Sequence, residues 1–386
     1  MLIQCTKALL NQIGIKHSEL ASSGDYEQFP SSFMSWHANF VSLDKGKAII
    51  LMNNETRYPI VIYKPKKKDL FKIKELICEA ISVALRMEGV RKEVIETYMA
   101  KAGEISFSQT SGRSMVAKMN NAVREIGFMQ EFLDEETTIQ RYISIAAGRL
   151  IQGSGTNEYF YPYEKMLQCL GIVALNKSEA VDEVLDVELY QLKIQINLEG
   201  HDIWRRVLVP STYSFRHLHH IIQTVFDWQN YHLHEFVVGR GENERLLQIV
   251  MDDDPETMEF VNFDNVEIRK EQFVALEDIF PKYNVVSYEY DFGDSWEHTI
   301  TLEKVVKSKS FQATYIDGNG ERPPEDVGGA PGFEEYLSLI ENKKHPMHHE
   351  MKAWAENQKE RKFSPEKIDQ RLKRTISGYS YSPFSC

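Results

Sequence analysis

The stretch Tyr190-Gln191-Leu192-Lys193-Ile194-Gln195-Ile196-Asn197-Leu198 alternates without a break. Its apolar residues fall on one side of an extended chain and its polar residues on the other, which predicts a strand with one face buried and one wet. Glu199-Gly200-His201-Asp202 turns the chain, residues 203–209 return it, and Pro210-Ser211-Thr212 introduces a helix over Phe215–Phe226. A second hairpin follows. Val286, Tyr288, Tyr290 and Phe292 alternate with polar residues as far as Gly293-Asp294, after which Trp296, His298, Ile300 and Leu302 share a face.

Upstream of the first strand, residues 175–187 turn small and acidic, as a solvated connector should. The expected division is therefore an N-terminal domain over 1–175 and a C-terminal domain over 187–378. The first contains strand-like runs at 33–43, 48–51 and 58–63, a three-stranded meander, and then apolar residues at helical spacing from Leu70 to Ala84 and from Met115 to Ile126. Both halves read as α+β, each an antiparallel sheet packed with helices. With 386 residues, 42% of them apolar and 26% charged, the chain can fill two cores, and it is neither disordered nor collagen-like.

Charge is unevenly spread. Residues 1–180 hold 22 of the 45 Lys and Arg and 20 of the 57 Asp and Glu, which leaves 23 bases against 37 acids in the remainder. Such an acidic half repels phosphate backbones, so nucleic acid is not the expected partner there. The one concentrated basic run, Lys64-Pro65-Lys66-Lys67-Lys68, lies at a helix start, where it reads first as a solvated charge run and second as a phosphate contact. Cys5, Cys78, Cys169 and Cys386 form no C-x-x-C pair, and free thiols suit the cytoplasm. No apolar run reaches the ~18 residues of a membrane span.

Ten of the 12 histidines lie between His201 and His349. His219 falls inside the apolar stripe of the predicted helix, and His298 shares a strand face with Trp296, so both are expected to look into one interior. The first reading is a packed core with satisfied imidazoles; the second is an aromatic-walled cavity with polar anchors. His232-x-His234 on an extended segment would project both rings from one face, where a third ligand such as Asp291 or Glu325 could complete a chelate. Arg205 and Arg206 follow Trp204 and leave opposite faces of a strand; one must be half-buried and needs an anionic partner, for which Asp291, Glu325 and Asp326 are at hand. Pro323-Pro324-Glu325-Asp326-Val327-Gly328-Gly329 is a stiff acidic loop that precedes a helix. Trp204, Arg205, Arg206, His219, His232, His234, Tyr290, Asp291, Asp294, Trp296, His298, Glu325 and Asp326 are the ligand-binding candidates. No catalytic residue, metal or cofactor is assigned. Asp291-Phe292-Gly293 is not a kinase signature, since no His-Arg-Asp loop precedes it, and neither Gly153-x-Gly155 nor Gly239-x-Gly241 has the third glycine of a nucleotide fingerprint.

In order along the chain, Ile203-Trp204-Arg205-Arg206-Val207, His232-Leu233-His234-x-Phe236, the segment from Tyr288 to His298 and the segment from Pro323 to Gly329 resemble the plasmid pRiA-type Orf-three-like family over about residues 187–375. The resemblance implies a bacterial α+β domain, often on mobile elements, with no catalytic residues to carry over. Residues 1–171, with Trp36-His37-Ala38-Asn39, resemble a separate bacterial domain family of unknown function. The expected function is non-enzymatic binding of a small-molecule or protein ligand. The alternative is a metal-dependent hydrolase or nuclease built from His232, His234, His298, Asp291, Glu325 and Asp326.

Overall fold

Alternation and helical spacing resolve into two α+β units in the computed structural model, which describes residues 1–21, 31–110, 112–153, 158–177, 181–239, 245–251, 266–358 and 365–376. One unit comprises Met1–Val187 with Lys309–Phe311, the other Glu188–Ser308 with Gln312–Cys386.

In the first unit, β1 (Leu2–Cys5), β2 (Ser35–Leu43), β3 (Gly46–Asn53), β4 (Pro59–Tyr63), β5 (Ser106–Gln109) and β6 (Ile139–Gln140) form one sheet in the order β5-β1-β2-β3-β4-β6. The meander β2-β3-β4 is antiparallel, as its sequence predicts. The whole sheet is mixed, because β1 runs parallel to both β2 and β5. The helix α1 (Lys7–Ile13) lies in the β1–β2 connection, the kind of crossover that parallel neighbours need. Thr6 caps that helix by accepting from the Leu9 N–H, and Gly14 ends it in the left-handed region at φ 72°. Among the helices are α2 (Ile73–Met87), α3 (Arg113–Phe128) and α4 (Arg141–Gly148). Met119, Ala122 and Ile126 of α3 and Ile143 of α4 pack with Ile50, Met52, Val61 and Tyr63 in a closed core. Residues Gln152–Gly153 (β7) and Tyr159–Phe160 (β8) form a short ribbon.

The basic run is partly neutralised locally. Lys64 pairs with Glu135 at 2.9 Å, and the Lys66 N–H donates to Asp69 at 2.8 Å, which supplies the anion that a helix start favours. Deeper in the unit, Arg149 meets Glu88 through two nitrogens at 2.9 and 2.7 Å, and the Tyr58 hydroxyl donates to the same carboxylate at 2.7 Å.

In the second unit, β9 (Val187–Ile196), β10 (Trp204–Pro210), β11 (His234–Gly239), β12 (Arg245–Val250), β13 (Glu267–Lys270), β14 (Val285–Tyr290), β15 (Trp296–Ser308) and β16 (Thr314–Asn319) lie in the order β13-β12-β11-β14-β15-β9-β10-β16. The alternating stretch is β9. Tyr190, Leu192, Ile194 and Ile196 are buried, and β10 returns antiparallel beside it. This sheet is mixed as well, through the parallel pair β12–β13. The helix α5 (Phe215–Phe226) has the bounds its periodicity predicts and buries Phe215, Leu218, Ile222, Val225 and Phe226, with Phe215 edge-on to Phe236 of β11. Further helices are α6 (Leu276–Ile279), α7 (Gly329–Glu341), α8 (His348–Gln358) and α9 (Pro365–Ile376), the last packed on α5 and β16. Among the described residues no helix is long and apolar enough to cross a membrane.

The Glu88–Arg149 pair tests the first unit. Removing one partner of a buried pair strands the other charge, so Arg149→Met is expected to lower stability by about 3–5 kcal/mol, measured as urea unfolding of the intact chain.

Candidate functional site

Two sets of polar side chains occupy the second unit, and they differ in access to water. The first is sealed. His219 of α5 stacks on His234, the first residue of β11, with ring centroids 3.4 Å apart and 6° between planes. The Tyr288 hydroxyl donates to His219 Nδ1 at 2.9 Å, His219 Nε2 donates to Asn230 Oδ1 at 2.5 Å, and His234 Nε2 reaches Glu271 at 2.9 Å. His298 faces Tyr288 across the β14–β15 ladder and donates from Nδ1 to the Trp296 carbonyl at 2.8 Å. All three imidazoles are at most 3% exposed. His219 and His298 do flank one residue, Tyr288, as the expectation of a shared interior requires. The rings of Phe226, Trp228 and Tyr288 surround His298.

Burial keeps these imidazoles neutral. It pushes the His234 pKa down to about 3 and that of His298 to about 4, and holds His219 well below its ordinary value, with the neighbouring His234 adding to the last shift. Burial also raises the Glu271 carboxyl.

The second set is open to solvent on one side. His232 precedes β11, outside the strand that His234 opens, and the close group of donor atoms around it does not include His234. The His232 Nε2 lies 3.5 Å from Asp291 Oδ2, 3.3 Å from Asp326 Oδ1 and 3.8 Å from Glu325 Oε2. Donor atoms of His232, Asp291 and Asp326 all fall within 4.8 Å of one another.

Each buried carboxylate in this set is aimed by the backbone. Asp291, at the left-handed φ of 60°, accepts through Oδ1 from the N–H groups of Gly293 and Asp294 at 3.0 and 3.3 Å, which leaves Oδ2 toward His232. That φ also breaks the strand alternation, so Asp291 rather than Phe292 turns inward. Glu325 is 0% exposed and accepts through Oε1 from the Gln229 N–H at 2.6 Å, while its Oε2 has no hydrogen-bond partner. Burial raises the Glu325 carboxyl, against the pull of Arg322 and His232. Tyr290 stands edge-on to His232, and Trp228 stacks on Trp296 and lies tilted against Tyr290.

The remaining candidates have structural settings. Backbone carbonyls of Val225, Trp204, Asn319 and Gly320 meet the Arg205 guanidinium at 2.8–3.0 Å. Val225 lies in the last turn of α5, and the negative pole of that helix supplies part of what an anion would. Arg206 grips Glu303 and Asp317 at 2.7–3.0 Å, not Asp291, Glu325 or Asp326, and lies over the Trp204 ring. Asp294 accepts from the Gly328 N–H at 3.2 Å. Sequence reasoning missed Tyr288, Asn230, Glu271, Gln229, Arg322 and Gln358, whose roles depend on distant partners. Of these only Tyr288 left a trace, its inward place in the alternation of β14.

Residues 188–372 match the plasmid pRiA4b ORF-3-like protein family, and residues 2–165 match the domain of unknown function DUF6933. The chain is 30% identical over 166 residues to the uncharacterized protein y4hQ of Sinorhizobium fredii, spanning 42% of this chain and 79% of that protein. It belongs to the plasmid pRiA4b ORF-3-like family. A crystal structure of the protein of unknown function MM3350 from Methanosarcina mazei Go1 is 30% identical, covers 47% of this chain and 97% of its own, and superposes with a TM-score of 0.40.

In this ORF-3-like unit two substitutions probe the geometry. A Cβ on Gly329, itself at φ +65°, would lie 2.7 Å from the Asp294 carbonyl oxygen, so Gly329→Ala is expected to cost about 1–3 kcal/mol of stability and lower the urea midpoint. For His298, burial sets the folded pKa near 4, below the ordinary 6.5, so the unfolded chain takes up the proton first and stability is lost as pH falls from about 6.5 toward 4. Raised carboxyls such as Glu235, pushed up to about 7 by burial, act in the opposite sense above their ordinary pKa. Comparison with His298→Leu isolates the imidazole: the variant is expected to show a shallower loss of stability over that window, by up to about 1.4 kcal/mol per pH unit, in urea titrations at stepped pH.

Proposed function

We propose that the C-terminal unit is a non-enzymatic ligand-binding module in a cytoplasmic protein, and that its ligand is a cation received by His232, Asp291, Glu325 and Asp326. One observation carries the reading. The Glu325 carboxylate is sealed from water, yet its Oε2 meets no protein donor and faces the His232 ring. A buried carboxylate without a partner costs several kcal/mol, and a cation at that point offsets the cost. The acid excess of this half supports the same reading and weighs against nucleic acid. Cys5, Cys78 and Cys169 are free thiols, which supports a reducing compartment.

The clustering of one histidine with three carboxylates keeps a metal-dependent hydrolase as the second reading. Charge favours the first. Three carboxylates around a divalent ion leave the site net negative, which opposes the lowering of a bound water's pKa on which such hydrolysis depends. His234 and His298, needed to enlarge the catalytic set, are committed elsewhere in the core.

Thermal unfolding of the intact chain, after dialysis against chelator, tests both readings with magnesium, calcium, manganese, zinc, spermidine and arginine amide. At least one cation is expected to raise Tm, since a ligand at 100 times its Kd adds about 2.7 kcal/mol, and Glu325→Gln is expected to remove most of that shift. No shift with any of the six overturns the proposal. Turnover of a hydrolase panel that disappears in His232→Ala overturns its non-enzymatic part.

A further inference from the structure

Resting on that reading, we propose that the cation is a divalent transition-metal ion of the zinc type, held by His232 Nε2 together with Asp291 and Asp326, whose donor atoms lie within 4.8 Å of one another, beside the buried Glu325 carboxylate. Spacing is the first argument. The His232 nitrogen stands 3.3, 3.5 and 3.8 Å from the three oxygens and makes no hydrogen bond. A tetrahedral ion with bonds of about 2.0–2.2 Å separates its donor atoms by about 3.3–3.6 Å. An ammonium nitrogen about 2.8 Å from each acceptor would spread them to about 4.6 Å. The separations of the His232 nitrogen from the Asp326 and Asp291 oxygens therefore fit a bare ion better than an organic ammonium group.

Donor chemistry is the second argument. Imidazole selects zinc, copper, iron or nickel over calcium and magnesium, which prefer oxygen alone, and the carboxylates disfavour a soft monovalent ion. The third is orientation. The turn N–H groups of Gly293 and Asp294 fix one oxygen of Asp291, and the Gln229 N–H fixes one oxygen of Glu325, so the other oxygen of each is left toward the His232 nitrogen, at 3.5 and 3.8 Å. Outer hydrogen bonds of this kind orient metal ligands and hold them in place before the ion arrives. The three ligands and Glu325 come from three segments: the loop before β11, the β14–β15 turn, and the acidic loop before α7. An ion bound there ties the three together and leaves the Asp326 side toward solvent, since that side chain is 64% exposed.

The test uses the intact chain, stripped with chelator and then given zinc or cobalt(II) alone. One equivalent per chain is expected by elemental analysis, and cobalt is expected to give the intense visible absorption of a four-coordinate site. Asp326→Asn alters an exposed side chain and Asp291→Asn keeps the Oδ1 acceptor of the turn, so both are expected to fold, with the metal-free Tm of Asp326→Asn unchanged. Loss of an outer partner alone costs 10–100-fold in metal affinity, so each of these variants and His232→Gln is expected to weaken zinc binding by at least about 100-fold. Absence of stoichiometric metal, or zinc affinity in Asp326→Asn and His232→Gln equal to that of the unsubstituted chain, overturns the assignment. A Glu325-dependent shift with spermidine and none with any metal overturns it while leaving the cation reading in place. Failure of every cation removes both.

Discussion

Asp294 joins the two segments on which the acidic cluster depends. Its side chain accepts the Gly328 N–H, and its carbonyl oxygen occupies the space a side chain at Gly329 would fill. Through that contact the loop before α7 docks on the β14–β15 turn, and residues more than thirty positions apart in sequence become neighbours. The loop is also held at its start and middle. Arg322 donates to the Phe226 and Asp227 carbonyls at the end of α5, and Gln358 of α8 both accepts from the Glu325 N–H and donates to the Glu325 carbonyl. Pinned at three places, the loop has little freedom to withdraw the Glu325 carboxylate from its buried position, so the carboxylate stays where desolvation costs most.

The sealed imidazole network does different work. Tyr288 accepts from Gln223, donates to His219 and packs against His298, so a slip of β14 by one residue would bring Ser287 or Glu289 into the core instead. The polar partners would then be left unsatisfied in a dry environment, a heavier loss than that of apolar contacts alone. The network thus fixes strand register, and register in turn sets where the turn after Tyr290 falls. The core histidines reach the acidic cluster only in this indirect way, by placing Asp291.

Period explains which features could be read from sequence. α5, β9 and the β14–β15 hairpin repeat at 3.6 or 2 residues over enough positions to declare themselves, and the α+β class followed from them. β1 has four residues, all buried, so no alternation marked it, and its parallel pairing with β2 and β5 was lost with it. Where backbone leaves a regular path the pattern misled: Asp291 turns left-handed and exchanges places with Phe292, and His232 stands outside the strand that carries His234. The acidic residues of the cluster were each legible as candidates. Their grouping with His232 was offered as the alternative reading only, because Asp294–Gly328, Arg322–Asp227 and Gln358–Glu325, the contacts that bring them together, join distant segments and have no local signature.

Net charge and the site point in the same direction by separate routes. The C-terminal half carries 14 more acids than bases, a field that repels phosphates and concentrates small cations at its surface. That field acts over roughly a Debye length and selects no particular ion. Selection must come from short range, where a dry carboxylate and an imidazole nitrogen stand at fixed separations. Burial raises the Glu325 carboxyl and so makes the proton the competitor for any cation that enters. A singly charged organic group gains little over that proton, whereas a divalent ion attracts all three carboxylates at once and the imidazole besides. In the proposed site, the held position of the Glu325 carboxylate favours an ion of high charge density over a singly charged group.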